Sequence, residues 1–118
     1  MHTDQAEQLA LSLPGATLDQ PFGPDADVCR VGGRIFAILA PGEVPQSLSL
    51  KCDPDLALEL RGQYPAVVPG YHLNKRHWNT VTLDGSVPDD EIAEMLRHSY
   101  ELVVSRLPVS VRRLLDRP

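Results

Sequence analysis

Asp27-Val28-Cys29-Arg30-Val31-Gly32-Gly33-Arg34-Ile35-Phe36-Ala37-Ile38-Leu39-Ala40 is the stretch that decides the fold. Asp27 to Val31 and Arg34 to Ala40 are β-prone runs, and the Gly32-Gly33 between them can take the positive φ angles that a two-residue hairpin turn demands. An antiparallel pair is therefore expected here. Downstream, Pro41 to Pro45 reads as a loop, and Ser47-Leu48-Ser49-Leu50-Lys51 alternates with period two, one face apolar and the other carrying Lys51. Upstream, a short strand is expected over Ala16 to Gln20, joined to the hairpin through the turn-forming Pro21-Phe22-Gly23-Pro24-Asp25.

Helices flank these strands. Asp4 to Leu13 places Ala6, Leu9, Ala10 and Leu13 on one face, with Asp4 and Glu7 spaced as a capping box, and Pro14-Gly15 ends it. Asp53-Pro54 sets a cap and a first helical residue for a helix running to about Arg61, with Leu56 and Leu60 inward. Pro65 to Asn74 shows few apolar residues in any period. His77 to Leu83 reads as a strand, and Asp84-Gly85 as a turn. Pro88 then opens the longest helix, with Asp89, Asp90 and Glu91 at its positive end and Ile92, Met95, Leu96, Ser99, Leu102 and Val103 inward. Beyond Pro108 a last short helix turns Val111, Leu114 and Leu115 inward and carries Arg112, Arg113 and Arg117. Short turns between consecutive strands imply an antiparallel sheet, and amphipathic helices from both termini cover one of its faces. The fold class is α+β, in one domain spanning residues 1–118.

The 118 residues carry 11 Lys plus Arg against 16 Asp plus Glu, a net charge of −5, with 42% apolar and 5% aromatic residues. A chain of this size buries about 65% of its unfolded surface, enough for one core without metal or disulfide support. Its charge argues against a broad nucleic-acid or anionic-membrane surface. By segment, residues 1–50 hold 2 basic and 6 acidic residues, 51–82 hold 4 and 3, 83–104 hold 1 and 6, and 105–118 hold 4 and 1. The middle is thus mildly positive on an acidic body. No window approaches the roughly 20 apolar residues of a membrane span, and the first residues lack a basic-then-apolar leader pattern, so a soluble cytoplasmic protein is expected. Cys29 and Cys52 share no Cys-x-x-Cys spacing and read as reduced, packed thiols.

That middle segment holds the densest chemistry: Pro69-Gly70-Tyr71-His72-Leu73-Asn74-Lys75-Arg76-His77-Trp78-Asn79-Thr80. With Val81 and Leu83 marking the core face, His77 and Asn79 fall on or beside that face and Trp78 is displayed next to Thr80. His72 and His77 have no third ligand at a recognised metal spacing, so no metal and no cofactor are expected. Nucleophile-elbow, Walker, dinucleotide and zinc-helix patterns are all absent, and no catalytic residue is assigned.

The segments Leu13-Pro14-Gly15, Pro21 to Asp25, Val31 to Ala37, Leu50-Lys51-Cys52-Asp53-Pro54, Pro69 to Val81 and Asp84-Gly85 occur in an order that resembles the MmcQ/YjbR family of small bacterial proteins. The resemblance implies a compact domain of the double-wing or CyaY-like kind, usually labelled a predicted DNA-binding protein. The frataxin-type likeness carries no iron site across, because the first helix offers only Asp4 and Glu7.

Three uses of the segment follow. In the first, Lys51, Lys75 and Arg76, with Arg34 at the hairpin turn, contact DNA phosphates while Tyr71 or Trp78 stacks on a base, giving weak, salt-sensitive binding. In the second, His72, Asn74, His77 and Asn79 line a small-molecule or peptide pocket and Lys51 recognises an anion. In the third, the sheet docks on a protein partner. A monomer or small homo-oligomer serves any of them.

Overall fold

A computed structural model describes residues 1–115, so Arg117 lies outside the described residues. The elements are α1 (Thr3–Leu11), β1 (Thr17–Asp19), β2 (Asp27–Val31), β3 (Arg34–Ala40), β4 (Ser47–Lys51), α2 (Pro54–Gln63), β5 (Val67–Pro69), β6 (Trp78–Thr82), α3 (Asp89–Ser105) and α4 (Val109–Leu115). The six strands form one sheet in the order β1-β2-β3-β4-β6-β5, every neighbour antiparallel. The fold is α+β, as the sequence pattern requires. Among the described residues no helix is long and apolar enough to cross a membrane.

The central hairpin turns at Gly32 and Gly33, whose φ angles of 57° and 80° suit the tight turn, and Val31 pairs with Arg34. Farther along, Cys29 pairs with Ala37 but Arg30 pairs with Ile35, which leaves Phe36 as an extra residue on β3. A bulge of this kind breaks the alternation of side chains. Phe36 and Ala37 are consequently both fully buried, and the Phe36 ring meets Tyr100 of α3 edge to face at 5.4 Å. The Ser99 hydroxyl sits beside the bulge, accepting from Lys51 N–H at 2.9 Å and donating to the Phe36 carbonyl at 2.6 Å.

One face of the sheet carries Cys29, Val31, Leu39, Leu48, Leu50 and Val81 into a single core closed by α1, α2 and α3. Free Cys29 and Cys52 are both buried. Among the described residues no helix lies over the other face, which shows Ile38, Ser49 and Thr80. There the Ser49 and Thr80 hydroxyls pair across β4 and β6 at 2.8 Å.

Several sequence expectations need correcting. α1 begins at Thr3, and its cap is Gln5 Oε1 accepting from His2 N–H at 2.8 Å in place of the Asp4 and Glu7 pair. β5 lies in the stretch without apolar period, because its hydrogen bonds come from β6. Ala57 is buried where Leu56 is half-buried, and Tyr100 replaces Leu102 in the buried stripe of α3. Leu114 faces out, at 62% exposure, because Val111 and Leu115 already fill the inner face of the short α4. Trp78 is only half-buried, but Thr80 beside it is buried, roofed by the Tyr71 backbone, whose N–H donates to Thr80 Oγ1 at 3.1 Å.

Candidate functional site

The helix-free face is the floor of a groove of about 780 Å³. Ile38, Ala40, Ser47 and Ser49 form the floor, the loop bearing Phe22, Asp25 and Ala26 forms one wall, and Tyr71, His72 and Leu73 form the other. Phe22 is 68% exposed and Tyr71 69%, so each wall holds an aromatic ring in water. Among the described residues, Asp25 and Glu43 supply the only formal charges of the lining, and Glu43 Oε2 accepts from Ser47 Oγ at 2.9 Å.

The Tyr71 wall is fixed from beneath. Gly70 N–H donates to the Trp78 carbonyl at 2.8 Å and Lys75 Nζ to the Gly70 carbonyl at 3.3 Å. A Cβ on Gly70 would stand 2.7 Å from Trp78 Cβ, so only glycine fits against that strand. His72 follows in the left-handed region at φ 57°, a conformation that L side chains adopt at a cost of about 1–2 kcal/mol. Its ring lies 4.0 Å from that of Tyr71, centroid to centroid. Asn74 Oδ1 accepts from Arg76 N–H at 3.0 Å and closes the turn ahead of β6.

Residues singled out in the sequence divide among several settings. Tyr71 and His72 line the groove. Lys75 and Arg76 lie against α2 with Arg61, Asp55 and Leu58. Asn79 is 3% exposed, and its carboxamide accepts from Arg61 Nε at 2.7 Å and donates to the Ala57 carbonyl at 3.3 Å. The Arg61 guanidinium also donates to the carbonyls of Lys75 and Trp78, so it ties α2 to the whole segment. The His77 carbonyl accepts from Cys52 N–H at 2.7 Å, a backbone role. Arg34 is exposed at the hairpin turn and Lys51 ends β4. Partial burial, then the positive charges of Arg106 and Arg34, hold the Lys51 pKa below its usual value.

A second cavity, about 290 Å³, opens between α2 and α3; apolar Leu50, Leu56, Leu60 and Met95 line it together with Cys52, the predicted site residues Lys51 and Asn79, and His98, Glu91 and Glu94 of α3. His98 Nε2 accepts from Asp53 N–H at 3.2 Å, joining α3 to the start of α2. Burial, reinforced by Asp53, pushes the Cys52 thiol up to about 11, so it is protonated and poorly nucleophilic at neutral pH. Among the described residues no three His, Cys, Asp or Glu side chains gather as metal ligands.

Sequence reasoning missed Phe22, Ser49 and Arg61. Phe22 stood inside a turn-forming run that already signalled a loop, where a large apolar residue has no packing use. Ser49 lay on the polar side of an alternating strand, and nothing in that alternation tells whether the polar side meets water or a neighbouring loop.

A family model described as YjbR matches residues 11–102. The protein named YjbR in Escherichia coli strain K12 is 40% identical over 108 residues, 92% of each chain. YbdF of Escherichia coli O157:H7 is 36% identical over 104 residues, covering 88% of this chain and 85% of its own. Among solved structures, a Deinococcus radiodurans protein with a DUF419 domain superposes with a TM-score of 0.92 at 39% identity, over 99% of this chain and 89% of that one. A Pseudomonas syringae protein superposes with a TM-score of 0.75 at 30% identity, over 86% and 98%.

Proposed function

The chain belongs to the YjbR family, and from that premise and the geometry above we propose that it is a binding module whose site is the groove on the helix-free face of the sheet. One observation carries this reading. Of six aromatic residues in the chain, two stand more than two-thirds exposed, and they occupy opposite walls of the same groove. Leaving a large apolar side chain in water forgoes about 1.5–3 kcal/mol of burial, and the Tyr71 wall is pinned in that exposed position by several hydrogen bonds. The groove volume falls within the roughly 300–1,000 Å³ typical of ligand pockets. Its floor adds hydroxyls that orient a polar ligand.

The test is a metabolite and short-peptide screen read by thermal shift, repeated on Tyr71→Ala and Phe22→Ala. Both side chains are exposed, so the variants are expected to fold. A ligand that stabilises the parent chain and loses its effect in both variants supports the groove; one that stabilises all three proteins equally removes it.

A second reading, DNA binding, is favoured by one observation. Lys51 ends β4 at the border of the α2–α3 cavity, with Arg34 and Arg106 near enough to lower its pKa, and none of the three is in an ion pair among the described residues. Anisotropy titrations at low salt with single-stranded and duplex DNA test it. Binding that weakens with a logarithmic salt slope of about −0.9 per phosphate, and that falls in the Arg34→Ala/Lys51→Ala double variant, supports it. No binding at low salt, or binding indifferent to those two changes, ends it.

A further inference from the structure

The charge of the groove lining is one-sided. Asp25 and Glu43 contribute two carboxylates, and neither Lys nor Arg is among the lining residues. The Asp25 carboxylate is exposed and has no protein partner among the described residues, and the Glu43 carboxylate is exposed and spends one oxygen on Ser47. The same lining carries the exposed Phe22 and Tyr71 rings. An aromatic face attracts a cation through its quadrupole, a carboxylate offers paired acceptors to a planar guanidinium, and Arg uses both more readily than Lys because its flat, weakly hydrated head can stack and fork at once. A phosphate meets the opposite situation here, two carboxylates and no Lys or Arg among the described lining residues.

Resting on the groove reading, we infer that the occupant is a peptide segment carrying an arginine, its guanidinium held between the aromatic walls and the carboxylates of Asp25 and Glu43. A guanidinium head alone fills only part of an opening of about 780 Å³. The flanking peptide occupies the remainder, over Ile38 and the hydroxyl of Ser47. The overall net charge of −5, with the acidic excess of residues 1–50 contributing both carboxylates, favours approach of such a basic partner over an acidic one.

The experiment titrates the full chain with acetyl-Gly-Arg-Gly-amide and with the same peptide carrying citrulline, which keeps the shape of arginine and lacks its charge, following backbone amide shifts by NMR. The arginine peptide is expected to shift groove amides and to bind about tenfold more tightly than its citrulline counterpart. Asp25→Asn and Glu43→Gln, both changes at exposed positions, are each expected to weaken the arginine peptide several-fold and leave the citrulline peptide unchanged. Equal binding of the two peptides, abolished by Tyr71→Ala, overturns the cation and keeps the groove. Acetyl-arginine-amide binding as tightly as the tripeptide overturns the peptide and assigns a free guanidinium compound. Arginine peptide that moves no groove amide overturns the inference, while the groove itself is decided by the ligand screen.

Discussion

Arg61 Nε lies 2.7 Å from Asn79 Oδ1, and this contact is the hinge pin between α2 and the segment that builds the Tyr71 wall. Asn79 sits opposite Leu50 on the core side of β6, where a carboxamide needs partners, and Arg61 reaches it while capping two backbone carbonyls of the same segment. The cations and amides that look like recognition chemistry in the sequence are in part the bracing of the loop.

Arg61→Ala is expected to destabilise the fold by about 1–3 kcal/mol, since it leaves the buried Asn79 oxygen without its charged donor. Arg61→Lys restores little, because a single ammonium cannot serve three acceptors in the planar arrangement the guanidinium provides. Urea unfolding of both variants measures this. Full stability in Arg61→Lys would show that charge alone matters at this position.

Ser99→Ala removes the hydroxyl between Lys51 N–H and the Phe36 carbonyl, at a residue that is fully buried. Two backbone groups lose their partner at once, at about 1–3 kcal/mol for each group left unsatisfied. Equilibrium unfolding, with amide exchange of Lys51 as the local readout, checks it. Unchanged protection of that amide would mean the strands close directly without the serine.

Gly33→Ala and Gly70→Ala separate conformational strain from lack of space. Gly33 has φ 80° and open space around a new Cβ, so alanine there costs only the left-handed penalty of about 1–2 kcal/mol. Gly70 carries no such strain, but a Cβ would meet Trp78 Cβ at 2.7 Å, and overpacking against a strand typically costs about 1–3 kcal/mol with backbone movement. Gly70→Ala is therefore expected to shift amides of β6 and the Tyr71 wall, and Gly33→Ala to leave them in place. NMR spectra of the two variants decide this.

Burial, then the negative charges of Glu7, Asp27 and Asp19, push the Cys29 thiol up to about 12 from an ordinary 9.0. Above pH 9 the unfolded chain releases this proton while the native state keeps it, so the unfolded state binds fewer protons and stability falls as pH rises toward 12. Below pH 9 the thiol is protonated in both states and contributes no slope. Melting curves between pH 8 and 11 are expected to fall less steeply for Cys29→Ala than for the parent chain, and identical slopes would contradict the assignment. Iodoacetamide at pH 8 should label the native protein far more slowly than the urea-unfolded chain.

What the sequence revealed follows the range of the forces involved. β2, β3 and β4 end where alternation and turn glycines place them, because those signals act between neighbours. Asp53 and Pro54 likewise mark the start of α2, the Asp53 side chain accepting from Leu56 N–H at 3.4 Å. β5 exists because Val67 pairs with Val81, a contact across the chain that leaves no local period. The inward turn of Phe36 depends on a slip in pairing against β2, which strand alternation alone cannot reveal. In the groove, Tyr71 and His72 belong to a segment whose composition already stood out, and the facing Phe22 comes from a loop whose turn residues explained it without any role.

The borders of the sheet set how copies of this chain can meet. β1 and β5 are its two edges, each three residues long, and β5 ends in Pro69, which has no N–H to offer. Asp19 at the opposite border is tied to Arg30 at 3.2 Å, so that edge carries a charged pair. Short edges with proline and charge are poor templates for adding a strand. Strand addition through backbone pairing is thus disfavoured at both borders, which leaves side chains, not main-chain hydrogen bonds, as the means by which this sheet can meet another molecule.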